Sequence, residues 1–196
     1  MSEEKKVKNL FLTGMPGLGK STYLINKLAP YIDKARGYRT VRVRNEEGRC
    51  VGFAHVSPSY DGGVDCTGLE PEKMFLNVAE GRHFNKDIFM SFVVPELTGA
   101  VSDEGCFILM DEIGGKELSD EDICSVYRRA LSSPHPCIGI IKHGMNAKHF
   151  DYDSYLKFME ELTGRGDTVI VEFKRDDTKA ADEFFERWLQ EAGFES

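Results

Sequence analysis

The most informative part of the chain is residues 7–21, which read VKNLFLTGMPGLGKS. Residues 7–13 are mostly apolar, which is typical of a buried strand, and apolar residues recur at helical spacing after Ser21. Between the two, Gly14 to Ser21 match the pattern G-x-x-x-x-G-K-[ST]. A glycine-rich loop in this position can curl its backbone N–H groups around phosphates, and the helix adds the positive end of its dipole. The stretch therefore predicts a phosphate-binding loop, or P-loop.

The residue types in this loop suggest separate tasks in binding a nucleoside triphosphate. Lys20 is expected to contact the β- and γ-phosphates and to assist catalysis, and the Ser21 hydroxyl is expected to ligate Mg²⁺. The predicted nucleotide contacts are Gly14, Met15, Pro16, Gly17, Leu18, Gly19, Lys20, Ser21 and Thr22. A glycine turn without a ligand is the alternative, and the flanking strand and helix argue against it.

A pair of carboxylates follows a second apolar run. Residues 106–110, CFILM, end in Asp111, as expected for a central strand buried on both faces of a parallel sheet. Asp111 is therefore predicted to hold Mg²⁺ together with Ser21. Glu112 is predicted to act as the general base that polarises a water molecule for attack on the γ-phosphate.

Strand and helix patterns alternate along the rest of the chain. Two β-prone runs, Tyr38–Arg44 and Cys50–Val56, are joined by a polar loop and predict a hairpin inserted after the first helix. The other predicted elements are strands at 137–141 and 168–173 and helices at 123–131, 155–162 and 181–189. Ser119 with Asp122 is expected to cap the first of these helices. The order predicts a single α/β domain over residues 1–196, with a mainly parallel sheet flanked by helices.

Composition narrows the possible partners and compartments. The chain has 196 residues, with 25 Lys and Arg against 33 Asp and Glu, so its formal net charge is −8. This balance argues against non-specific binding to nucleic acid or to an anionic membrane. Five cysteines without a C-x-x-C pair, and no apolar run long enough for a membrane span, predict a cytoplasmic protein with reduced thiols. We expect a monomer.

The two motifs and a third stretch resemble a known family. The third stretch is residues 42–53, RVRNEEGRCVGF, and DEIG at 111–114 is followed by Glu117 and Leu118. Together with GMPGLGKST, these residues resemble the small P-loop nucleoside-triphosphatase family, which includes the cancer-related nucleoside triphosphatase and its bacterial and archaeal relatives. The resemblance spans about residues 11–176. It implies a RecA-like fold and Mg²⁺-dependent hydrolysis of ATP, GTP and other nucleoside triphosphates to the diphosphate and phosphate.

Four further residues are weaker candidates. Arg175 follows the last predicted strand, where P-loop folds frame the nucleobase, and is predicted to contact the base; a solvated run of charges is the alternative. His143 follows the strand at 137–141 and could sense the γ-phosphate, because ligands lie at the carboxyl ends of parallel strands. Arg128 and Arg129 are expected to be solvated helix residues rather than an arginine finger, so slow hydrolysis is predicted.

Two other functions compete with hydrolysis. A nucleoside or nucleotide kinase has a similar size, and residues 57–73, rich in glycine and proline, predict a mobile surface loop that could close over a phosphate acceptor. A nucleotide-dependent switch without enzymatic activity is suggested by Asp111-x-x-Gly114, which fits the D-x-x-G of GTPases. Asn85-Lys86-Asp87-Ile88 breaks the N-K-x-D pattern that such a switch would also need.

Overall fold

The computed structural model describes residues 6–79, 81–144 and 151–194, and all the strands in it belong to one sheet. The strands are β1 (Asn9–Thr13), β2 (Ala35–Arg44), β3 (Cys50–Val56), β4 (Asp65–Thr67), β5 (Leu76–Asn77), β6 (His83–Phe84), β7 (Phe107–Ile113), β8 (Cys137–Ile141) and β9 (Thr168–Glu172). The helices are α1 (Lys20–Leu28), α2 (Lys86–Val101), α3 (Glu121–Ser132), α4 (Tyr152–Gly164) and α5 (Lys179–Ala192).

Five strands run parallel in the spatial order β2, β7, β8, β1, β9. The glycine-rich loop therefore follows β1, and Asp111 lies in β7, with β8 between them. All five carboxyl ends meet at one edge of the sheet, which is where ligands bind in open α/β folds. The arrangement confirms the predicted RecA-like α/β fold with a mainly parallel sheet.

The predicted hairpin extends the sheet beyond its parallel part. β2 pairs with β7 only from Ala35 to Tyr38 and continues to Arg44, where β3 pairs with it antiparallel. β5 adds to β3, and the short β6 adds to β5. We call β2 from Thr40 onward, together with β3 and β5, the antiparallel wall. It stands past the carboxyl end of β7 and borders the same edge of the sheet.

Helices cover both faces of the sheet. Successive side chains of a strand point to opposite sides, and in the central strands both sides are apolar and need to be buried. In β7, Ile108 and Met110 pack in one buried cluster, and Phe107 and Leu109 pack in the other. Helices α2, α3 and α4 bury their apolar faces in the first cluster, and α1 and α5 bury theirs in the second. Two cores of similar character thus support the central strands from both sides.

One local expectation is wrong, and two other parts of the chain contain structure that was not predicted. The 16-residue helix α2 lies in a part of the chain where no helix was predicted. The cap of α3 is Asp120, whose Oδ1 accepts from the N–H groups of Asp122 and Ile123, rather than Ser119. The segment 57–73 contains β4 and is held by the buried Arg39, whose guanidinium donates to the carbonyls of Tyr60 (2.6 Å) and Gly63.

No helix within the described ranges is both long enough and apolar enough to cross a membrane. The five cysteines are free thiols, three of them buried. Both observations concern the described residues, which include every cysteine of the chain.

Candidate active site

The glycine-rich loop leaves β1 and enters α1 through backbone conformations that favour glycine. Gly14 has φ +132°, and a Cβ there would lie 2.9 Å from the carbonyl oxygen of Phe173, so no side chain fits. Gly19 has φ +89° and is the N-cap of α1, without a side chain to cap the first turn. The N–H groups at the start of α1 are therefore left for a ligand, and they attract an anion.

Two cations hold this loop from opposite sides. Lys20 is 7% exposed, and its Nζ donates to the carbonyl oxygens of Gly14 (2.8 Å) and Met15 (2.9 Å). Burial lowers the pKa of Lys20, while the charges of Glu112 and Asp111 raise it. Arg175 is exposed, and its guanidinium donates to the carbonyl oxygens of Gly17 (2.5 Å) and Leu18 (3.2 Å). Arg175 therefore lies against the loop, and its predicted contact with a nucleobase stays a prediction.

Asp111 lies buried in the fold two strands away from the loop. It is 3% exposed, and its Oδ2 accepts from the backbone N–H of Thr40 at 3.0 Å. Its Oδ1 is also buried but accepts no hydrogen bond from any described residue. Burial first, and then the charge of Glu112, raise the pKa of Asp111 to about 7. Burying a carboxylate oxygen without a partner costs free energy of folding, unless a cation or a hydrogen-bond donor binds to it.

Glu112 has an unusual backbone conformation. Its φ is +68°, a left-handed value that few residues other than glycine adopt. The register between β7 and β8 shifts between Met110 and Ile113, so a bulge lies at the two acids. Bulges beside active sites redirect side chains, and here Glu112 lines the same cavity as Lys20 and Ser21. Strain of this kind persists where the surrounding structure enforces it.

Glu117 fixes the segment that follows the acids. It is 2% exposed, and its Oε1 accepts from the backbone N–H groups of Gly114 (2.8 Å) and Gly115 (2.7 Å). A Cβ at Gly115 would lie 2.6 Å from Glu117 Oε2 and 2.9 Å from Lys142 Nζ, so both side chains converge there. Glu117 therefore fixes the backbone at Gly114 and Gly115, directly after the bulge that contains Glu112.

A cavity of about 740 Å³ lies along the edge of the sheet and is lined by Lys20, Ser21 and Glu112, whereas Asp111 and Glu117 are not among its described lining residues. Among the described residues that line it, five are cationic and one is acidic: Lys20, Arg42, Arg82, Lys142, Arg175 and Glu112. The antiparallel wall contributes the apolar side chains of Phe53 and Leu76, and Val78, directly after β5, adds another. The cavity is therefore suited to a large anion with flat or apolar parts.

Comparison with known proteins shows which family this chain belongs to. A family model described as NTPase matches residues 9–181. The chain belongs to this NTPase family. It is 32% identical over 180 residues to the cancer-related nucleoside-triphosphatase homolog of Mus musculus, covering 86% of this chain and 90% of the mouse protein. It is 30% identical over 148 residues to nucleoside-triphosphatase THEP1 of Saccharolobus solfataricus, covering 72% of this chain and 79% of the archaeal one.

Solved structures of relatives share the fold. The solution structure of a human cancer-related nucleoside triphosphatase superimposes with a TM-score of 0.62 at 24% identity, over 95% of this chain and 96% of the human one. The crystal structure of THEP1 from Aquifex aeolicus gives 0.60 at 22% identity, over 94% and 98%. The family model and the mouse relative confirm the family that the sequence resembles, and membership of the NTPase family makes this chain a hydrolase.

The NTPase site also contains residues that the sequence did not single out. Lys142, rather than the neighbouring His143, lines the cavity at the end of β8. Its charge lowers the pKa of Asp111, so it lies close to the acids. A lysine directly after a predicted central strand was the available signal. Arg82 had no such signal. Arg42 begins the stretch 42–53 that carries the family resemblance, but its place in the cavity depends on the pairing of distant strands, so no role was predicted for it.

The two arginines of α3 are held elsewhere. Arg128 pairs with Glu161 at 2.8 Å and with Glu121, and Arg129 donates to the hydroxyl of Thr98 at 2.8 Å. Neither arginine is among the residues that line the cavity. These contacts agree with the expectation that Arg128 and Arg129 lie outside the site.

Proposed function

We propose that this chain is a Mg²⁺-dependent nucleoside triphosphatase that hydrolyses ATP, GTP and other nucleoside triphosphates to the diphosphate and phosphate. The observation that carries the proposal is that Lys20, Ser21 and Glu112 line one cavity although they come from opposite sides of β8. The names of the relatives, which are nucleoside triphosphatases, support the same activity.

The residues present fit a magnesium ion. Asp111 offers a buried carboxylate oxygen without a partner among the described residues, and the Ser21 hydroxyl, which lines the cavity, would supply a second oxygen ligand. Hard oxygen ligands of this type, completed by water and phosphate, are those that Mg²⁺ prefers. Bound there, the ion would neutralise charge on the β- and γ-phosphate oxygens.

The chain's own groups supply the remaining steps. The N–H groups of the loop and of the first turn of α1 bind the phosphates, and the ammonium of Lys20 exchanges two carbonyl partners for phosphate oxygens. Glu112 accepts the proton of a water molecule as that water attacks the γ-phosphorus. Arg175, at the β9 side, lies where the nucleoside would emerge from the loop. We propose slow turnover, because Arg128 and Arg129 are held away from the cavity.

The test is phosphate release from ATP, GTP, CTP and UTP with Mg²⁺ or with EDTA. Glu112→Gln should reduce kcat by about 10²-fold or more, while a non-hydrolysable ATP analogue still binds, because the substitution removes the base but keeps the side-chain size. Lys20→Ala should weaken binding of the analogue itself. The exposed Glu172→Gln serves as the matched control.

Two results would contradict the proposal. If the unaltered chain binds nucleotide but releases no phosphate, hydrolysis is not its activity. If Glu112→Gln retains full turnover, the general base is another group, and the strained conformation of Glu112 needs a different explanation.

A further inference from the structure

The cavity is longer than one triphosphate requires. Along the edge of the sheet, its lining runs from Arg175 after β9, through the loop after β1 and Lys142 after β8, to Glu112 in β7. It then continues across β2 and β3 to β5. Neighbouring strands are about 4.8 Å apart, so the part beyond β7 is roughly 14 Å wide, whereas β1 and β7 are separated by only about 10 Å.

The nucleotide has a fixed direction in this cavity. That direction rests on the function proposed above. Lys20 and the loop hold the phosphates, and the γ-phosphate must face Glu112 if a water activated there is to reach it. The nucleoside therefore lies toward β1 and β9, and the antiparallel wall lies past the γ-phosphate. The triphosphate leaves that side of the cavity open.

The open side combines cations with an apolar surface. Arg42, Phe53 and Leu76 are partners in one cross-strand row, so their side chains share a face of the wall. Val78 and Arg82 complete the lining on this side. Asp65 forms a close ion pair with Arg44, 3.1 Å from its Nε, and a longer one with Arg42, 3.9 Å from its Nε, and Arg42 also lines the cavity.

From this arrangement we infer that the side of the cavity bordered by the antiparallel wall is a binding site for a second molecule, a phosphomonoester with a flat apolar body. The phosphate group is bound by Arg42 and Arg82, because guanidinium forks match phosphate oxygens. The flat body packs on Phe53, Leu76 and Val78. The bound phosphomonoester lies next to the γ-phosphate of the triphosphate, so the enzyme holds two phosphorylated molecules at once.

The probe for this site is AMP, titrated by calorimetry into the full chain whose loop is already saturated with Mg²⁺ and a non-hydrolysable ATP analogue. Saturation keeps AMP from binding at the loop. We expect one further equivalent of AMP to bind. Adenosine, which lacks the charge, and inorganic phosphate, which lacks the flat body, should each bind at least about tenfold more weakly, because each makes only part of the contacts.

Variants assign the binding to the wall. Arg42→Gln and Arg82→Gln should each weaken AMP at least about tenfold, because a charged hydrogen bond to phosphate is lost. Phe53→Leu keeps an apolar side chain but removes the flat one and should also weaken AMP. The matched control is Arg49→Gln, in the exposed turn between β2 and β3, which should leave AMP binding unchanged.

Each contrary result has a distinct meaning. No AMP binding to the analogue-loaded chain, or equal binding of inorganic phosphate, would overturn the second site while leaving the proposed hydrolysis intact. Equal weakening by Arg49→Gln would show that the overall charge, rather than the cavity, attracts AMP. Failure of the analogue itself to bind would refute the proposed function, and the second site with it.

Discussion

At the scale of single residues, the site carries two local costs. Glu112 adopts a left-handed backbone conformation, and Asp111 buries a carboxylate oxygen without a hydrogen bond from the described residues. Both features lower the stability of the folded chain, and both belong to acids proposed to act next to the phosphates of a nucleotide. Each cost can be measured, because a suitable substitution removes it.

The strain at Glu112 predicts an unusual order of stabilities. Glu112→Gly should be more stable than Glu112→Ala by about 1 kcal/mol, because glycine adopts positive φ without a steric cost. Both variants lack the carboxylate, so neither should hydrolyse nucleotide at the original rate. Urea denaturation measures the difference. At Glu172, in the regular strand β9, the order should be reversed, with alanine above glycine. If the alanine variant is more stable than the glycine variant at both positions, the backbone of Glu112 is not strained.

The buried carboxyl of Asp111 predicts a dependence on pH. Its pKa is raised from 3.8 to about 7 by burial and by Glu112, so the folded state favours the protonated acid. Its contribution to stability is therefore complete below about pH 4 and is lost as the pH rises through about 7. Asp111→Asn, which carries no charge, should match the original chain at about pH 4 and exceed it at about pH 8 by on the order of 2–4 kcal/mol.

The measurement is the free energy of unfolding at each pH without Mg²⁺ or nucleotide. The exposed Asp61→Asn is the control and should show no such trend. A constant difference between Asp111→Asn and the original chain at all pH values would contradict the prediction.

At the scale of elements, local signals predict some parts well and others poorly. The loop after β1 could be predicted because phosphate binding requires a tightly curved backbone and a positive charge. These needs place glycine and lysine at set positions in the sequence. Helix α2 was not, because its apolar residues face several directions and Pro95 interrupts the pattern. The cap of α3 was misplaced by one residue, because Ser119 and Asp120 are both good capping types and only the folded backbone distinguishes them.

The site shows the same division. Lys20, Ser21 and Glu112 line one cavity, and this proximity could be predicted because each lies in or directly after a short motif. Their roles, and that of Asp111, stay predictions. The residues that the antiparallel wall brings to the cavity could not be predicted from motifs. They depend on how far β2 continues past β7 and on which residues of β2, β3 and β5 then pair. Register of this kind is set by packing across the whole sheet and leaves little trace in the local sequence.

Arg39 is predicted to fix the segment 57–64 to the sheet. Replacing it with methionine, which keeps an apolar stem, removes charged hydrogen bonds to the carbonyls of Tyr60 and Gly63. We expect a loss of at least about 2 kcal/mol in the free energy of unfolding and faster amide hydrogen exchange in this segment. Arg49→Gln should change stability by less than about 0.5 kcal/mol. Unchanged exchange in Arg39→Met would show that other contacts hold the segment.

At the scale of the whole molecule, one sheet connects two cores. Trp188, the sole tryptophan of the chain, is fully buried in the core beneath α1 and α5, and its Nε1 donates to the carbonyl oxygen of Lys8. Its fluorescence reports on that core, whereas hydrogen exchange in α3 reports on the other. Since β7 contributes to both, we expect the two to unfold together, as in a single domain.

The measurement is urea unfolding followed by Trp188 fluorescence, by far-ultraviolet circular dichroism and by hydrogen exchange in α3. Coincident transitions would support the predicted single domain over residues 1–196. Separate midpoints would show two units that fold independently. The cytoplasmic location, the monomeric state and the absence of nucleic-acid partners stay predictions.

The hold of Lys20 and Arg175 on four carbonyl groups of the loop has a kinetic consequence. Hydrogen bonds from these two side chains to the loop's own carbonyl groups hold its curved shape, so the conformational entropy of ordering the loop is lost during folding rather than at binding. We expect nucleotide arrival to need only the local exchange of the Lys20 contacts and no slow rearrangement of the loop, so that association is governed by diffusion and by the positive field of the cavity. The contacts of Arg175 would keep the loop curved as product leaves, so the site would be ready for the next nucleotide.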